Sequence, residues 1–261
     1  MNRRRFLQIT SLSAAPLILP RRLFGADAPS KKIGIGMIGM GRQAYASNLQ
    51  PFLKSPDCAV TAVCDVDAWR LEQGLQAVEK HYGKKVARGY HDFRELLADP
   101  NVHAVMISTP DHWHVPMAIA AVKAGKDVSL EKPITRTIGE GRILAELVAK
   151  HKRVFRVDSE FRSLEPMHRA AELVRNGRIG KLHTVKIGLP GDPGGKVLEK
   201  MPVPSALNFD MWLGSTPEME YTEQLVHPQK GYDRPGWLRH ENYGAGMITS
   251  SPGLTVASSA L

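Results

Sequence analysis

The residues Gly39-Met40-Gly41-Arg42-Gln43-Ala44 combine backbone freedom with small side chains, as a turn built around a pyrophosphate requires. In a Gly-x-Gly-x-x-Ala turn between strand and helix, Gly39 permits the tight bend and Gly41 lets the backbone approach the phosphates. Ala44 allows close helix–sheet packing, and free N–H groups at the helix start attract anionic oxygens. Arg42 and Gln43 lie on the same turn. Asp65 follows just over twenty residues later, where a carboxylate accepts hydrogen bonds from adenosine ribose hydroxyls and repels a 2′-phosphate. The pattern predicts NAD as cofactor, with NADP disfavoured.

About ninety residues beyond the glycines comes Glu131-Lys132-Pro133. An ammonium held there can hydrogen-bond a reacting hydroxyl and stabilise the alkoxide that develops during hydride transfer. Pro133 constrains the turn and suits a cis bond. Glu131 and Lys132 are therefore assigned to the cofactor crevice, with Lys132 as the catalytic group. A third stretch, Ser108-Thr109-Pro110-Asp111-His112-Trp113-His114, reads as a loop lining the cofactor through Ser108, Thr109, Pro110, His112 and His114. The alternative is a simple helix cap by Asp111. His112 and His114 have a metal-ligand spacing, but no Cys, Glu or third His accompanies them, so no metal site is expected.

Alternating elements must hold these groups. Strands are expected at Ile33–Ile38, Val60–Cys64, Val86–Gly89, Val102–Ile107, Val128–Leu130 and Val154–Val157. Helices are expected at Arg42–Leu53, Ala68–Tyr82, Asp92–Leu97 with Asp92 as cap, Val115–Ala124 and Ile138–Lys150. The strands are short continuous apolar runs, as in a parallel sheet covered on both faces. The fold class is thus α/β, a Rossmann-type doubly wound parallel sheet over residues 31–158. A helix at Pro166–Asn176, a strand at Leu182–Ile187 and a Gly/Pro-rich loop at Pro190–Pro204 follow. Each motif falls at the carboxyl edge of a strand, where open α/β sheets bind ligands.

Hydrophobic residues make up 43% of the 261, which describes a globular chain. The formal charge of +9 owes much to Arg3, Arg4, Arg5, Arg21 and Arg22. Without residues 1–28 there remain 30 basic and 25 acidic side chains, or +5, scattered and without interleaved aromatics. Nucleic-acid binding is not expected. Arg3-Arg4-Arg5-Phe6-Leu7 fits a twin-arginine export signal, with a mildly apolar stretch Ile9–Leu19 and a cleavage site near Ala26-Asp27-Ala28. That stretch is too short to span a bilayer, so export to the periplasm without stable membrane insertion is expected. Cys58 and Cys64 read as unpaired thiols.

With these motifs in place, the chain resembles the Gfo/Idh/MocA oxidoreductases, the family of glucose–fructose oxidoreductase and inositol dehydrogenase. The resemblance runs from about Lys32 to Thr249, and Glu131-Lys132-Pro133 is its most specific mark. It implies a second, α+β domain with an open, mostly antiparallel sheet, here residues 159–249, and a carbohydrate substrate such as a sugar or polyol. Lys132 matches the family's active-site lysine, and Arg162 and Ser163 fall near the substrate. Asn208–Gly214 and Tyr232–Trp237 resemble loops of exported members.

In the family, the segment matching Gly244–Thr249 leads into an acid/base His and an Asp; here Ser250–Leu261 follows, read as an aberrant tail. The second domain is therefore expected to be partial and turnover impaired, with homo-oligomers through its sheet only if that domain were complete. The main expectation is NAD-dependent oxidation or reduction of a sugar-like substrate. The alternatives are an NAD-dependent glycosidase and a non-catalytic nucleotide-binding remnant.

Overall fold

The structure is a computed structural model that describes residues 32–186, 188 and 199–244. The expected export signal, the tail 250–261, Ile187 and most of the Gly/Pro-rich loop lie outside the described residues.

Six strands form one parallel sheet in the order β3-β2-β1-β4-β5-β6. They are β1 (Ile33–Ile38), β2 (Cys58–Cys64), β3 (Arg88–Tyr90), β4 (Ala104–Ile107), β5 (Asp127–Glu131) and β6 (Phe155–Asp158). Consecutive strand residues point to opposite faces, so one continuous apolar run feeds two cores. Met37 and Met106 pack in one layer, while Ile38, Val105 and Ile107 pack in the other. This is the doubly wound sheet the strand patterns predict, with each strand within a few residues of its expected span.

The helices are α1 (Leu49–Lys54), α2 (Ala68–Tyr82), α3 (Phe93–Ala98), α4 (His114–Lys123) and α5 (Ile138–His151). Their ends follow local chemistry. Asp67 and Asp92 cap α2 and α3 by accepting backbone N–H groups, and Gly83 closes α2 in the left-handed conformation at φ 69°. Thr137 and Glu140 form a reciprocal capping box on α5.

The expected helix over Arg42–Leu53 forms, but not as a uniform α-helix. Ala44–Asn48 is a π turn in which the N–H of Leu49 reaches back five residues to the carbonyl of Ala44. Pro51 supplies the cause: it has no N–H to donate and its ring crowds the carbonyl of the preceding turn.

Beyond β6 the chain carries α6 (Glu165–Arg175), α7 (Phe209–Leu213) and α8 (Glu223–Val226). The strand expected at Leu182–Ile187 is not formed over residues 182–186. Leu182 and Val185 are exposed there, and no described strand lies alongside to receive their N–H and C=O groups. The described part of residues 159–244 is therefore helices and loops, without the sheet expected of a second domain.

Residues 206–243 instead fold back onto the Rossmann edge. Ala68 N–H donates to the carbonyl of Ala206 at 2.8 Å, and Asn208 N–H to that of Val66 at 3.0 Å. A third apolar cluster, including Leu207, Trp212, Tyr221 and Tyr243, forms at this junction. Among the described residues, no helix is long and apolar enough to cross a membrane.

Candidate functional site

The carboxyl ends of β1, β2, β4 and β5 open into one cleft of about 460 Å³. Its wall includes Gly39, Gly41, Arg42, Gln43, Asp65, Ser108, Thr109, Pro110, His114, Glu131 and Lys132. Motifs separated by ninety residues in the chain therefore meet at one sheet edge, because β1 lies between β2 and β4.

The glycine turn is built for close approach. Gly39 has φ +84°, and a Cβ there would sit 2.7 Å from the carbonyl oxygen of Ser108. Gly41 has the opposite surroundings: a Cβ there would meet nothing within 4 Å. What a side chain at Gly41 would occupy is open cleft, the room a pyrophosphate needs. Ala44 is fully buried against the sheet, as its packing role requires.

Asp65 directly follows β2 and is buried. Its Oδ2 accepts the N–H of Met40 at 2.7 Å and its Oδ1 accepts that of Asp67 at 2.9 Å. Burial pushes this carboxyl up to about 6, against the two N–H donors and Arg70, which favour its anion. Each carboxylate oxygen has a second lone pair, so ribose hydroxyls can still be accepted.

Lys132 lies partly exposed in the cleft wall, on a turn whose Lys132–Pro133 bond is cis. Its backbone N–H donates to Glu131 Oε2 at 3.0 Å. Glu131 is buried; burial, and Asp158 beside it, push its carboxyl up, while Asn48 and Lys132 oppose them. The loop after β4 is tied to this turn by His114, whose ring nitrogens lie 2.6 Å from the carbonyl of Pro133 and 3.0 Å from that of Thr109. Thr109 contributes to the cleft wall, with its hydroxyl buried and without a hydrogen-bond partner.

Two assignments change. His112 was expected to line the cofactor, but its ring turns into the seam with residues 206–243. There its Nε2 lies 2.9 Å from the carbonyl of Trp212, and the ring packs edge-on against Trp212 and Tyr243. Burial drives its pKa down to about 4, so it stays neutral. In the 3₁₀ turn Asp111–Trp113 successive side chains point about 120° apart, and His112 takes the apolar direction. Arg162 is also not brought into the cleft wall. It lies exposed on the turn after β6, with no described substrate domain above it.

Other wall residues escaped the motif reading. Tyr232, Asp233, Arg234 and Trp237 close one side of the cleft. Tyr232 stacks on Tyr45 with centroids 4.5 Å apart and touches Trp69 at 5.4 Å. Arg70 anchors this segment, donating to the carbonyls of Pro228 at 2.9 Å and Gly231 at 3.2 Å. The aromatic run was visible in the sequence, but nothing local said that it would cross the glycine turn. His227, which is half-buried, lies 3.8 Å from Asp67 at the same anchor.

Residues 33–159 match the family model of Gfo/Idh/MocA proteins, described as an oxidoreductase family with an NAD-binding Rossmann fold. The chain is 32% identical to myo-inositol 2-dehydrogenase of Thermotoga maritima, over 68% of this chain and 51% of that protein. It is 36% identical to a glycosyl hydrolase family 109 protein of Saccharopolyspora erythraea, over 46% of this chain and 27% of that protein. Among solved structures, it resembles scyllo-inositol dehydrogenase of Lactobacillus casei with bound NAD(H) and scyllo-inositol. That match has a TM-score of 0.52 and 26% identity, and covers 57% of this chain and 43% of that one. The chain spans about a quarter to a half of the length of these relatives. Residues 33–159 are thus an NAD-binding Rossmann domain of the Gfo/Idh/MocA oxidoreductase family.

Proposed function

We propose that the protein is an NAD-dependent oxidoreductase acting on a sugar, a polyol or a related carbohydrate. The observation that carries this reading is the shared cleft of the glycine turn, Asp65 and Lys132. The open space at Gly41 fits a dinucleotide. The nicotinamide would supply the hydride acceptor or donor. The Lys132 ammonium would hydrogen-bond the reacting oxygen and stabilise its developing negative charge. Asp65 would receive the ribose hydroxyls and exclude a 2′-phosphate, which favours NAD over NADP. Inositol dehydrogenase relatives support a polyol-like substrate. Arg3-Arg4-Arg5-Phe6-Leu7 supports twin-arginine export to the periplasm.

A second reading, NAD-dependent glycoside hydrolysis, rests on the relatives named for glycosyl hydrolase family 109. One experiment separates the two: purified protein is given NAD and, in turn, inositols, sugars and aryl glycosides, with NADH and free phenol both followed. Net NADH formation supports the dehydrogenase. Phenol release without NADH supports the glycosidase. Lys132→Met should lower dehydrogenase turnover by about 10²–10⁴ while NADH still binds. Unchanged turnover would remove Lys132 from the reaction.

A further inference from the structure

We infer that Asn48 is a positioning residue for the Glu131–Lys132 turn, holding Glu131 in the orientation from which the Lys132 backbone is set. The inference rests on the proposed role of Lys132.

Asn48 closes the π turn and is buried, with 5% of its surface exposed. Its Nδ2 donates to Glu131 Oε1 at 3.0 Å and to Asp158 Oδ2 at 2.8 Å. Its Oδ1 accepts the Ser108 hydroxyl at 3.1 Å. One amide side chain thus spends both its N–H groups and a carbonyl lone pair on the ends of β4, β5 and β6. No single hydroxyl or carboxylate offers two donors and an acceptor in that plane.

The two carboxylates explain why donors are needed there. Glu131 and Asp158 face the same amide, and like charges brought together out of water repel unless donors offset them. Asp158 has a second partner, Arg156, at 3.5 Å on its other oxygen. Glu131 has Asn48 on one oxygen and the Lys132 N–H on the other. If the amide is lost, Glu131 must take a proton or rotate. Either change disturbs the hydrogen bond to Lys132 N–H and the negative charge behind its ammonium. The charged groups acting on Glu131 are Asp158 and Lys132, with burial as the largest influence.

The π turn gives this arrangement its origin. A regular α-helix through residues 44–48 would fit one residue fewer into the turn and rotate the side chain at position 48 away from its present direction. Asn48 therefore depends on the same local break that Pro51 favours.

The test follows the Glu131 carboxyl directly and does not depend on turnover. The 261-residue chain is labelled with ¹³C at glutamate carboxyls, Glu131 is assigned by comparison with Glu131→Gln, and its shift is followed with pH. Asn48→Asp nearly conserves volume while removing both donors and adding a carboxylate. It should raise the proton affinity of Glu131 about tenfold or more. Asn48→Leu, which adds no charge, should raise it less. A midpoint unchanged in both folded variants overturns the proposal, even if their thermal stability falls, because a merely structural residue would lower stability without moving this titration.

If the variants do not fold, the wild-type chain remains informative. The Asn48 side-chain amide signals should move with the same midpoint as Glu131, and independence of the two overturns the proposal. Turnover is a separate readout. Should Lys132→Met leave hydride transfer intact, the catalytic reading of Lys132 fails, while the Glu131 titration still judges Asn48.

Discussion

Asp65 accepts the backbone N–H of Met40 at 2.7 Å, which joins the tip of β2 to the glycine turn after β1. The residue proposed to select the cofactor also holds the loop that would cradle its phosphates. Asp65→Ala should therefore weaken NADH binding by about tenfold or more and narrow any preference over NADPH, because one change removes the ribose acceptor and a staple of the turn. Calorimetric titration with both cofactors checks it. Equal affinity of the wild type for NADH and NADPH would contradict the selection argument.

The same carboxyl carries a pH signature. Burial raises it from 3.8 to about 6, so the folded chain holds this proton more tightly than the unfolded chain. Its contribution to stability is therefore favourable below about 4 and is lost as pH rises through about 6. Ribose hydroxyls need the ionised acceptor, so NADH affinity should fall as pH drops through about 6. Asp65→Asn should flatten both dependences, and binding and denaturation measured from pH 5 to 8 provide the check.

Two glycines should respond in opposite ways. Gly39→Ala places a Cβ against the Ser108 carbonyl at a φ of +84° and should cost about 1–3 kcal/mol of stability in denaturant melts. Gly41→Ala meets no neighbour within 4 Å, so stability should stay within ~0.5 kcal/mol while NADH affinity falls about tenfold. Unchanged NADH affinity in Gly41→Ala would place the phosphates elsewhere.

The seam between the Rossmann edge and residues 206–243 should open in acid. Burial lowers His112 to about 4; burial and then the Arg70 charge lower His227 to about 4. Both are neutral in the folded state and gain protons more readily when released. Stability is thus lost as pH falls from about 6.5 toward 4, on the order of 3 kcal/mol for each histidine. Hydrogen exchange should show residues 206–243 losing protection at pH 4.5 before the six strands do. His112→Gln, which keeps a donor for the Trp212 carbonyl, should reduce the acid effect.

Arg70 is the anchor of the segment that crosses the glycine turn. It is buried, pairs with Asp67 at 3.3 Å and donates to two carbonyls of residues 228–231. Arg70→Met removes the guanidinium that pairs with Asp67 and frees the segment, at a cost of about 3–5 kcal/mol. Limited proteolysis should then cut near Tyr232 while residues 33–158 survive.

The sequence by itself determined the elements and their order. Continuous apolar runs marked the strands, Asp92 and Gly83 marked helix ends, and the glycine turn and Lys132-Pro133 stood out because their backbone requirements are local. Covalent neighbours settle such features within a few residues. The parts that only the tertiary structure decided depend on distant segments meeting. Asn48 is an ordinary polar residue of a predicted helix until the sheet order brings Glu131 and Asp158, 83 and 110 residues away, to its amide. His112 looked like a cleft residue because its neighbours are, and the 3₁₀ turn then aimed it into the seam. Arg162 rests on the family resemblance and the strand expected at Leu182–Ile187 on its apolar pattern, and strand formation there requires a partner that local pattern cannot supply. Secondary structure follows local periodicity and capping, whereas this site was assembled by side-chain packing across strands that are adjacent in the sheet and remote in the chain.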